Sequence, residues 1–525
     1  MASHQPRLRS LIPTALALLA SFGGTSAASI TRRQYQDDLR PCIYSTQVVA
    51  EWPDQGAQIT TKSQNTNYHY TPLVVVQPTS PEQVAGVIKC VAQRNGQVKA
   101  STFGGGHGYA SYALGGADGF VVIDSSRLAG ISVDKDSKTA HVYMGAKLGP
   151  LAIAIGQEGF GLPHGTCPSV GVFGHALGGG WGFSSRNWGW LLDHIVGMTL
   201  VDPTGAIRKL SVTSTGQDAD LWWALRGAGA NNFGVVTDMT LKLEVAPTQA
   251  VNWNTTFPTH DECATVLRAV TALANAMGPN QLPKELGFQL LGYGVGGEGV
   301  GACKLAGQYL GPIGEFRRAE KVIRDDLHAS GVQTTDFNAV EFPGWVEALT
   351  SLMGGNLNSP PVQVPYYAQS LIDDGSPSYS VSGSQAIFQA VQETVNTPNE
   401  GTSISFDLNG PFARTNGEQP YGDSSFAVGG HRGSTFMSQI YVNGYPAFDN
   451  MTAQTPVNAA VDNLNAAVRA NDPNGNWKAY VNYIDPRLQN WAQMYYGDAL
   501  QRLKDIKKQV DPNTIFDYPQ GLAHA

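Results

Sequence analysis

The clearest hydrophobic pattern in the chain begins at a β-rich run, Leu73–Pro78 (LVVVQP), which predicts a strand. Apolar residues then recur at helical spacing, at Val84, Val87, Ile88 and Val91. We therefore expect a helix over Glu82–Asn95, with Ser80 as its N-cap and Pro81 at its first position. A second strand over 98–103 ends in a loop of glycines.

Short β-rich runs separated by turn residues continue after this unit. They predict strands over 120–124, 131–134, 139–143, 195–201 and 235–243, with a helix over 148–157. Between 248 and 476, helical patterns over 261–277, 314–330 and 384–395 alternate with strands over 286–293, 302–309, 402–408 and 435–443. This alternation favours a predominantly antiparallel sheet covered by helices, so the predicted fold class is α+β.

The chain is too long for one hydrophobic core, so we expect two large lobes. The predicted segments are 42–247, 248–476 and a final stretch, 477–522, that returns to the first lobe. Residues 1–28 combine two arginines, a short apolar run and small residues, the layout of a secretory signal peptide. We therefore expect a secreted, extracellular protein.

Composition narrows the range of partners. The formal net charge is −8 and only 14% of residues are charged, which does not fit the clustered basic surface of a nucleic-acid-binding protein. No later segment has the run of apolar residues that a membrane helix needs. We expect no membrane partner and a monomer.

The five cysteines are an odd number, which leaves one thiol to explain in a secreted chain. With Cys167 set aside, the other four could pair as Cys42–Cys90 and Cys263–Cys303. The second pairing rests on both members lying in the middle segment. Asn254 and Asn450 begin N-glycosylation sequons.

Two glycine-rich stretches carry the candidate chemistry. Ser101–Tyr109 (STFGGGHGY) holds one histidine, His107, and Gly161–Phe183 (GLPHGTCPSVGVFGHALGGGWGF) holds one cysteine, Cys167. Glycine backbone can approach a large flat ligand closely, so the two stretches indicate a cofactor gripped from two sides. The first stretch does not open a helix as a dinucleotide-binding GxGxxG motif does. His164 and Cys167 could be one pair of metal ligands, but no second pair at zinc spacing supports a metal site.

These stretches occur in order with two further motifs, DLWWALRGAGANNFGVVT at 220–237 and AYVNYIDP at 479–486. Together they resemble the FAD-linked oxidases of the berberine-bridge-enzyme type, and more narrowly the fungal gluco-, chito- and xylo-oligosaccharide oxidases. The resemblance implies a PCMH-type FAD-binding domain at 42–247, a substrate-binding domain at 248–476 and a berberine-bridge-type segment at 477–522. It also agrees with a Cys42–Cys90 disulfide.

The resemblance further implies FAD held by two covalent bonds, from His107 to the 8α-methyl group and from Cys167 to C6. Val170 matches a position where valine accompanies reactivity with oxygen. The other implied cofactor contacts are Gly104, Gly105, Gly106, Gly108, Tyr109, Thr166, Gly171, Gly174, His175, Gly179, Gly180, Val235, Val236, Tyr480 and Asn482.

For catalysis the resemblance implies that Tyr483 takes the proton of the sugar's anomeric hydroxyl and that Asp407 assists it. Because tyrosine titrates near pH 10, it needs such help, although a carboxylate can also raise a phenol's pKa by repulsion. Gln439, Tyr109 and Ser405 are the implied substrate contacts. Ser405 departs from the gluco-oligosaccharide pattern, which has glutamine there.

Strand alternation in AYVNYIDP would place Tyr480 and Asn482 on one face and Tyr483 and Asp485 on the other. Aromatic residues of the middle segment, expected mostly in the core but partly against sugar rings, are Trp345, Tyr366, Tyr367, Phe412, Tyr421 and Tyr441.

The predicted function is oxidation of the reducing-end C1 hydroxyl of an oligosaccharide to a lactone, with O2 reduced to H2O2. One alternative is an FAD-linked oxidase or cyclase of secondary metabolism that acts on a non-sugar alcohol or aromatic scaffold. A second is a secreted carbohydrate-binding protein without turnover, against which the presence of both attachment residues argues.

Overall fold

The computed structural model describes residues 39–57, 61–276, 278, 281–297, 301–334, 337–409, 423–428, 431–432, 434–472 and 474–525. The predicted signal peptide and the aromatic residues Phe412 and Tyr421 lie outside these ranges. The described residues form eighteen strands, numbered here in chain order, and no helix among them is long and apolar enough to cross a membrane.

The first sheet combines two parallel pairings with one antiparallel edge strand, in the order β1-β2-β4-β3. Its strands are β1 (Val49–Glu51), β2 (Val74–Gln77), β3 (Ala100–Phe103) and β4 (Val121–Asp124). The chain passes from β2 to β3 through the helix Pro81–Ala92, and the Ser80 side chain accepts a hydrogen bond from the Gln83 N–H as predicted. Phe103, at the end of β3, is followed directly by the first glycine loop.

A second, antiparallel sheet with the order β5-β6-β10-β8-β9 completes this lobe. Its strands are β5 (Ile131–Asp134), β6 (Thr139–Tyr143), β8 (Ile195–Val201), β9 (Ile207–Ser211) and β10 (Val235–Lys242). The short strands β7 (Phe160–Gly161) and β11 (Glu244–Val245) pair with each other at its margin. Both glycine-rich stretches belong to this lobe.

The middle segment forms one antiparallel seven-stranded sheet with the order β15-β12-β14-β13-β17-β18-β16. Its strands are β12 (Ala250–Phe257), β13 (Leu286–Gly297), β14 (Gly301–Tyr309), β15 (Asn338–Phe342), β16 (Tyr366–Ile372), β17 (Gly401–Leu408) and β18 (Phe436–Asn443). Helices that include His260–Asn275, Val381–Glu393 and Met451–Arg469 pack together on this lobe.

The helices described are Pro81–Ala92, Leu148–Gly156, Val172–Leu177, Ser185–Trp188, Gln217–Ala228, His260–Asn275, Ile313–Ala329, Trp345–Leu352, Val381–Glu393, Ser425–Val428, Met451–Arg469, Trp491–Tyr496 and Leu500–Val510. Residues 39–45 are also helical. Separate clusters of buried apolar side chains fill the two lobes, which agrees with the expectation of two cores. The mixture of helices and antiparallel sheets confirms the α+β class.

The C-terminal segment returns to the first lobe and is fixed there by a buried ion pair. The Lys507 ammonium contacts the Asp511 carboxylate at 2.7 Å and donates to the carbonyl of Asn232 in the first lobe. The Ala100 N–H of β3 donates to the Ile515 carbonyl, so the tail extends the first sheet. The last part of the chain is therefore integral to the first lobe.

Both expected disulfides, Cys42–Cys90 and Cys263–Cys303, are present, and Cys167 is a free thiol. The predicted strand through 480–485 is wrong. The Tyr483 N–H donates to the Tyr480 carbonyl at 2.8 Å, which closes a turn, and the rings of Tyr480 and Tyr483 lie edge to face rather than on opposite faces. β-Branched and aromatic composition favours a strand here, but the tertiary contacts of the two tyrosines decide the conformation.

Candidate flavin and substrate site

A cavity of about 590 Å³ lies between the two lobes. Its walls include both glycine-rich stretches, one face of the middle sheet and the turn that carries Tyr483. Cavities of several hundred Å³ at the junction of two lobes are typical of cofactor and substrate sites. The sequence-predicted residues that line it are Gly104, Gly105, Gly106, His107, Gly108, Tyr109, Thr166, Cys167, Val170, Gly171, Gly174, His175, Val236, Ser405, Asp407, Gln439, Asn482 and Tyr483.

Glycine main chain forms part of the wall on the side of the first lobe, which we call the glycine wall; its glycines are Gly104, Gly105, Gly106, Gly108, Gly171 and Gly174. A Cβ atom at Gly105 would lie 2.3 Å from the Gly171 nitrogen, so the two glycine-rich stretches pack backbone to backbone. A Cβ atom at Gly104, Gly108 or Gly174 would instead meet no protein atom within 4 Å. The space in front of these three glycines belongs to the cavity, so a ligand can approach their backbone closely.

His107 and Cys167 face this cavity from the two stretches. Burial, with a smaller contribution from the Lys147 ammonium, lowers the pKa of His107 to about 4, so its imidazole is neutral at neutral pH. Cys167 is exposed to the cavity but lies deep within the molecule, where burial raises the pKa of its thiol. A neutral imidazole offers an unprotonated nitrogen to an electrophile.

The segment 227–232 lines the cavity, although the sequence reasoning assigned it no contacts. The preceding helix loses its helical geometry at Arg226, and Gly227 has a φ of 137°, which favours glycine. Asn231 Oδ1 accepts from the Thr102 N–H at 2.7 Å, which ties this segment to β3. The sequence RGAGANN at 226–232 could have predicted this turn, because glycines that follow a helix indicate a turn.

Four predicted cofactor contacts do not line the cavity: Gly179, Gly180, Val235 and Tyr480. The Gly180 N–H donates to the Tyr480 hydroxyl at 2.7 Å, and Val235 is buried in β10. These residues lie behind the wall and support it. Asn482 does line the cavity, and its amide donates to both the His175 carbonyl and the Tyr480 hydroxyl.

His175 is also held rigidly. Its Nε2 accepts from the Gly165 N–H at 3.1 Å, and burial lowers its pKa to about 3. It therefore contributes a neutral ring to the cavity wall.

The opposite wall is one face of the middle sheet. Because alternate residues of a strand share a face, Ser403, Ser405 and Asp407 of β17 all reach the cavity. Neighbouring strands add Gln289 and Leu291 from β13 and Gln439 and Tyr441 from β18. The register places Ser405 directly between Leu291 and Gln439. This wall is therefore made of side chains, most of them polar.

Asp407 and Tyr483 form an electrostatically coupled pair at the edge of this wall. Burial raises the pKa of Asp407 to about 7. Burial also raises the pKa of Tyr483 well above its usual value, and the Asp407 charge raises it further. Asp407 Oδ1 has no hydrogen-bond partner among the described residues, so it is available to accept a proton or a ligand hydroxyl.

Tyr109 connects the two walls. Its ring stacks on Tyr483 at a centroid distance of 5.2 Å, and Gln439 Nε2 donates to its hydroxyl. Tyr366 meets Tyr109 edge to face and stacks on Tyr441, so the four tyrosine rings form a continuous aromatic surface. Of the aromatic residues singled out in the sequence, Tyr366 and Tyr441 line the cavity, whereas Trp345 and Tyr367 are buried away from it.

The residues present fit FAD. The open glycines leave room for a flat ring system and a phosphate chain beside main-chain N–H groups. His107 and Cys167 supply a nucleophile from each glycine-rich stretch, and the unpaired Asp407 oxygen faces a ligand-sized space. This fold and site define an FAD-dependent oxidoreductase.

Residues 72–211 match the family model of an FAD binding domain, and residues 479–523 match that of berberine and berberine-like proteins. The chain is 30% identical over 475 residues to a carbohydrate oxidase of Microdochium nivale, covering 87% of this chain and 89% of the relative. It is 29% identical over 471 residues to a xylooligosaccharide oxidase of Thermothelomyces thermophilus, covering 88% and 89%.

A solved structure of glucooligosaccharide oxidase from Acremonium strictum, with 6-S-cysteinyl, 8α-N1-histidyl FAD, matches with a TM-score of 0.80. It is 26% identical and covers 93% of this chain and 99% of that chain. FAD-linked oxidoreductases whose names specify no sugar also match. The chain belongs to the FAD-linked oxidases of the berberine-bridge type, with a PCMH-type FAD-binding fold.

Proposed function

We propose that this protein is a secreted oligosaccharide oxidase that converts the reducing-end C1 hydroxyl to a lactone, with O2 as the electron acceptor. The single observation that carries this proposal is the polar sheet face, Ser403, Ser405, Asp407 and Gln439, which lies opposite the glycine wall across one cavity. Several convergent hydrogen-bonding groups suit a polyhydroxylated ligand.

In this proposal residues 42–247 and 477–522 bind FAD and residues 248–476 bind the sugar. His107 forms the bond to the 8α-methyl group and Cys167 the bond to C6. The signal peptide at 1–28 directs the chain to secretion, and the mature protein acts as a monomer. Bound FAD supplies hydride acceptance and delivers two electrons to O2, which leaves as hydrogen peroxide.

Tyr483 takes the proton of the C1 hydroxyl while its own phenolic proton moves to Asp407. A phenol whose pKa lies well above 10 cannot ionise alone near neutral pH, but it can relay a proton to a carboxylate. Asp407, with a pKa of about 7, is ionised in a large fraction of molecules at neutral pH. The Asp407 carboxylate therefore acts as the final proton acceptor, and Tyr483 does not need to exist as a stable tyrosinate.

Tyr109 and Gln439 orient this pair. Tyr109 stacks on the Tyr483 ring, and its hydroxyl accepts a hydrogen bond from Gln439 Nε2, so Oε1 is the Gln439 atom that would accept a hydrogen bond from a sugar hydroxyl. Ser405 lies next to Gln439 in register and contributes a short donor. The shorter side chain leaves more space beside the sugar than glutamine would.

The first test is a visible spectrum of the purified secreted protein after denaturation in acid. Yellow colour that stays with the denatured protein supports covalent FAD. The same measurement on the Cys167→Ala and His107→Ala variants shows which of the two bonds forms. Peroxide release is then measured with cellobiose, xylobiose and chitobiose. A yellow supernatant contradicts covalent attachment, and a colourless protein removes the oxidant from the proposal.

The alternative function is oxidation of a non-sugar alcohol or aromatic scaffold. An enzyme of that kind would use the same glycine wall for FAD but would need a different sheet face for its substrate. Peroxide release from aromatic alcohols but from none of the three disaccharides would favour it. The number of hydrogen-bonding side chains on the sheet face favours the sugar.

A further inference from the structure

The hydrogen bond between His107 Nε2 and Ser169 Oγ, 2.8 Å long, has no role in the function described so far. It joins the two glycine-rich stretches through their side chains. Ser169 is buried, and no hydrogen-bond partner of His107 Nδ1 is found among the described residues. Nε2 is therefore engaged by the protein, whereas Nδ1 is left for a ligand in the cavity.

We propose that Ser169 is the positioning residue that holds His107 in the tautomer and orientation needed for covalent attachment to FAD. This inference rests on the proposed function, because it deepens the assignment of His107 as an attachment residue. When Nε2–H donates to the Ser169 hydroxyl, the lone pair is on Nδ1. In a neutral imidazole the partner of one nitrogen determines which nitrogen is free to react.

The backbone around Ser169 is fixed well enough to serve this purpose. The Val170 N–H donates to the Cys167 carbonyl at 3.2 Å, and the Leu148 N–H donates to the Val170 carbonyl at 2.9 Å. On the other side, a Cβ atom at Gly105 would lie 2.7 Å from the Ser169 carbonyl oxygen. The serine therefore occupies a tight turn packed directly against the loop that carries His107.

The same turn carries Cys167, the second attachment residue. One short segment thus presents a thiol to the cavity and, two residues later, the hydroxyl that orients the histidine on the opposite stretch. The neutral state of His107, whose pKa burial lowers to about 4, agrees with this arrangement because a protonated imidazole has no free lone pair.

The attachment step balances with O2 as oxidant. A bond forms between His107 Nδ1 and the 8α carbon of the flavin, and one C–H bond of the 8α-methyl group breaks. The two electrons of that C–H bond pass through the flavin to O2. The proton from the methyl group and one proton from the imidazole complete hydrogen peroxide.

The experiment compares Ser169→Ala and Ser169→Thr, each combined with Cys167→Ala so that His107 alone can hold the cofactor. The readout is the fraction of flavin that stays with the acid-denatured protein, together with the intact mass and the mass of the peptide containing His107. Loss of one orienting hydrogen bond is expected to lower the covalent fraction, or its rate of formation, about tenfold in the alanine variant. The threonine variant keeps a hydroxyl and should retain attachment.

Ser101→Ala in the same background is the matched control. Ser101 is also buried and near the glycine loop, but its hydroxyl has no hydrogen-bond partner among the described residues. The proposal is supported if the Ser169→Ala protein binds flavin but releases it on acid denaturation, while the Ser101→Ala protein keeps its flavin attached. Equal covalent fractions in all variants would overturn it.

Two other outcomes are also informative. A Ser169→Ala protein without any flavin, bound or released, would overturn the proposal, because the serine would then be required for binding rather than attachment. If Cys167→Ala alone carries no covalent flavin, the His107 bond of the proposed function fails, which is distinguishable from a failure of Ser169. If Ser169→Ala is not secreted, Ser169→Gly replaces it in the same comparison.

Discussion

The two walls of the cavity are built in opposite ways. On the side of the first lobe, glycine main chain forms part of the surface, and the glycines at 104, 105, 106, 108, 171 and 174 permit both backbone packing and close approach by a ligand. On the other side, a regular sheet presents side chains two residues apart, and the backbone is fully occupied in pairing. The first wall suits a fixed cofactor, whereas the second can change one residue at a time.

This difference separates two kinds of constraint. At Gly105 any side chain would collide with the backbone of Gly171, so the position tolerates one residue type. At Ser405 the side chain lines the cavity and also lowers the pKa of the neighbouring Asp407 through a hydrogen bond, so a different residue alters recognition and the titration of that carboxyl rather than the packing of the backbone. Substitutions on the glycine wall should therefore affect stability or cofactor loading, and those on the sheet wall should affect turnover or selectivity.

The largest effect on turnover is expected from Tyr483→Phe. Removing the hydroxyl removes the proton relay, so turnover should fall by about 10²- to 10⁴-fold while the flavin spectrum stays unchanged. Peroxide release under saturating sugar measures the first quantity and absorbance the second. Tyr379→Phe, at a buried tyrosine outside the cavity, is the control. Turnover within a few-fold of the parent protein would show that Tyr483 is not the base.

The next effect concerns pH and Asp407. The pKa of this carboxyl is raised to about 7, so it is ionised above pH 7 and protonated below. Only the ionised form can accept the phenolic proton, so turnover should fall about tenfold per pH unit as pH drops below 7. The Asp407→Asn variant should have a low turnover that no longer falls as the pH drops below 7. If the variant kept the same fall in turnover below pH 7, another titratable group would be responsible for it.

A pair of glycine substitutions tests the opposite wall. Gly105→Ala should destabilise the protein by about 1–3 kcal/mol, because its Cβ meets backbone atoms that cannot move independently. Gly104→Ala should leave the melting temperature nearly unchanged but lower the ratio of flavin to protein, because its Cβ occupies space in the cavity. Thermal unfolding and flavin absorbance measure the two effects. Equal destabilisation by both would contradict the distinction between packed and open glycines.

The smallest effect is expected at Ser405. Ser405→Gln lengthens a side chain that lies beside Gln439 on the sheet face, so a hydrogen bond can be gained with one sugar and space lost for another. The ratio of kcat/KM for cellobiose over xylobiose should shift by about 2- to 10-fold, with flavin loading unchanged. A uniform change for both sugars would show that Ser405 does not discriminate between them.

The glycine wall was more accessible from sequence than the sheet wall, for a physical reason. Runs of glycine around His107 and Cys167 are unusual patterns that backbone contact requires, and they can be recognised as motifs. Gln289, Leu291 and Ser403 are ordinary strand residues that acquire a role only when β13, β17 and β18 come into register. Long-range pairing of this kind leaves no local signal.

The local sequence preference also led to one wrong prediction of secondary structure. The sequence AYVNYIDP has the composition of a strand, yet it forms the turn that brings Tyr483 beside Tyr109. The lobes and most strands followed from pattern and spacing. The Cys42–Cys90 disulfide agreed with the family resemblance, and Cys263–Cys303 followed from both cysteines lying in the middle segment. The strands at 250–257, 338–342 and 366–372 were not predicted. The strands at 338–342 and 366–372 alternate weakly, and the sheet stabilises them through neighbours distant in sequence. The strand at 250–257 does alternate, with Val251, Trp253 and Phe257 buried, so its pattern could have been recognised.

The return of the C-terminal segment to the first lobe has a consequence for synthesis of the protein. Tyr483 and the Lys507–Asp511 anchor that contacts Asn232 are synthesised after both glycine-rich stretches and after the middle sheet. Both glycine-rich stretches are made more than 290 residues earlier, but their wall cannot be completed until the tail docks. A chain that ends before residue 480 therefore lacks both the proposed base and the Tyr480 and Asn482 contacts that support the glycine-rich wall.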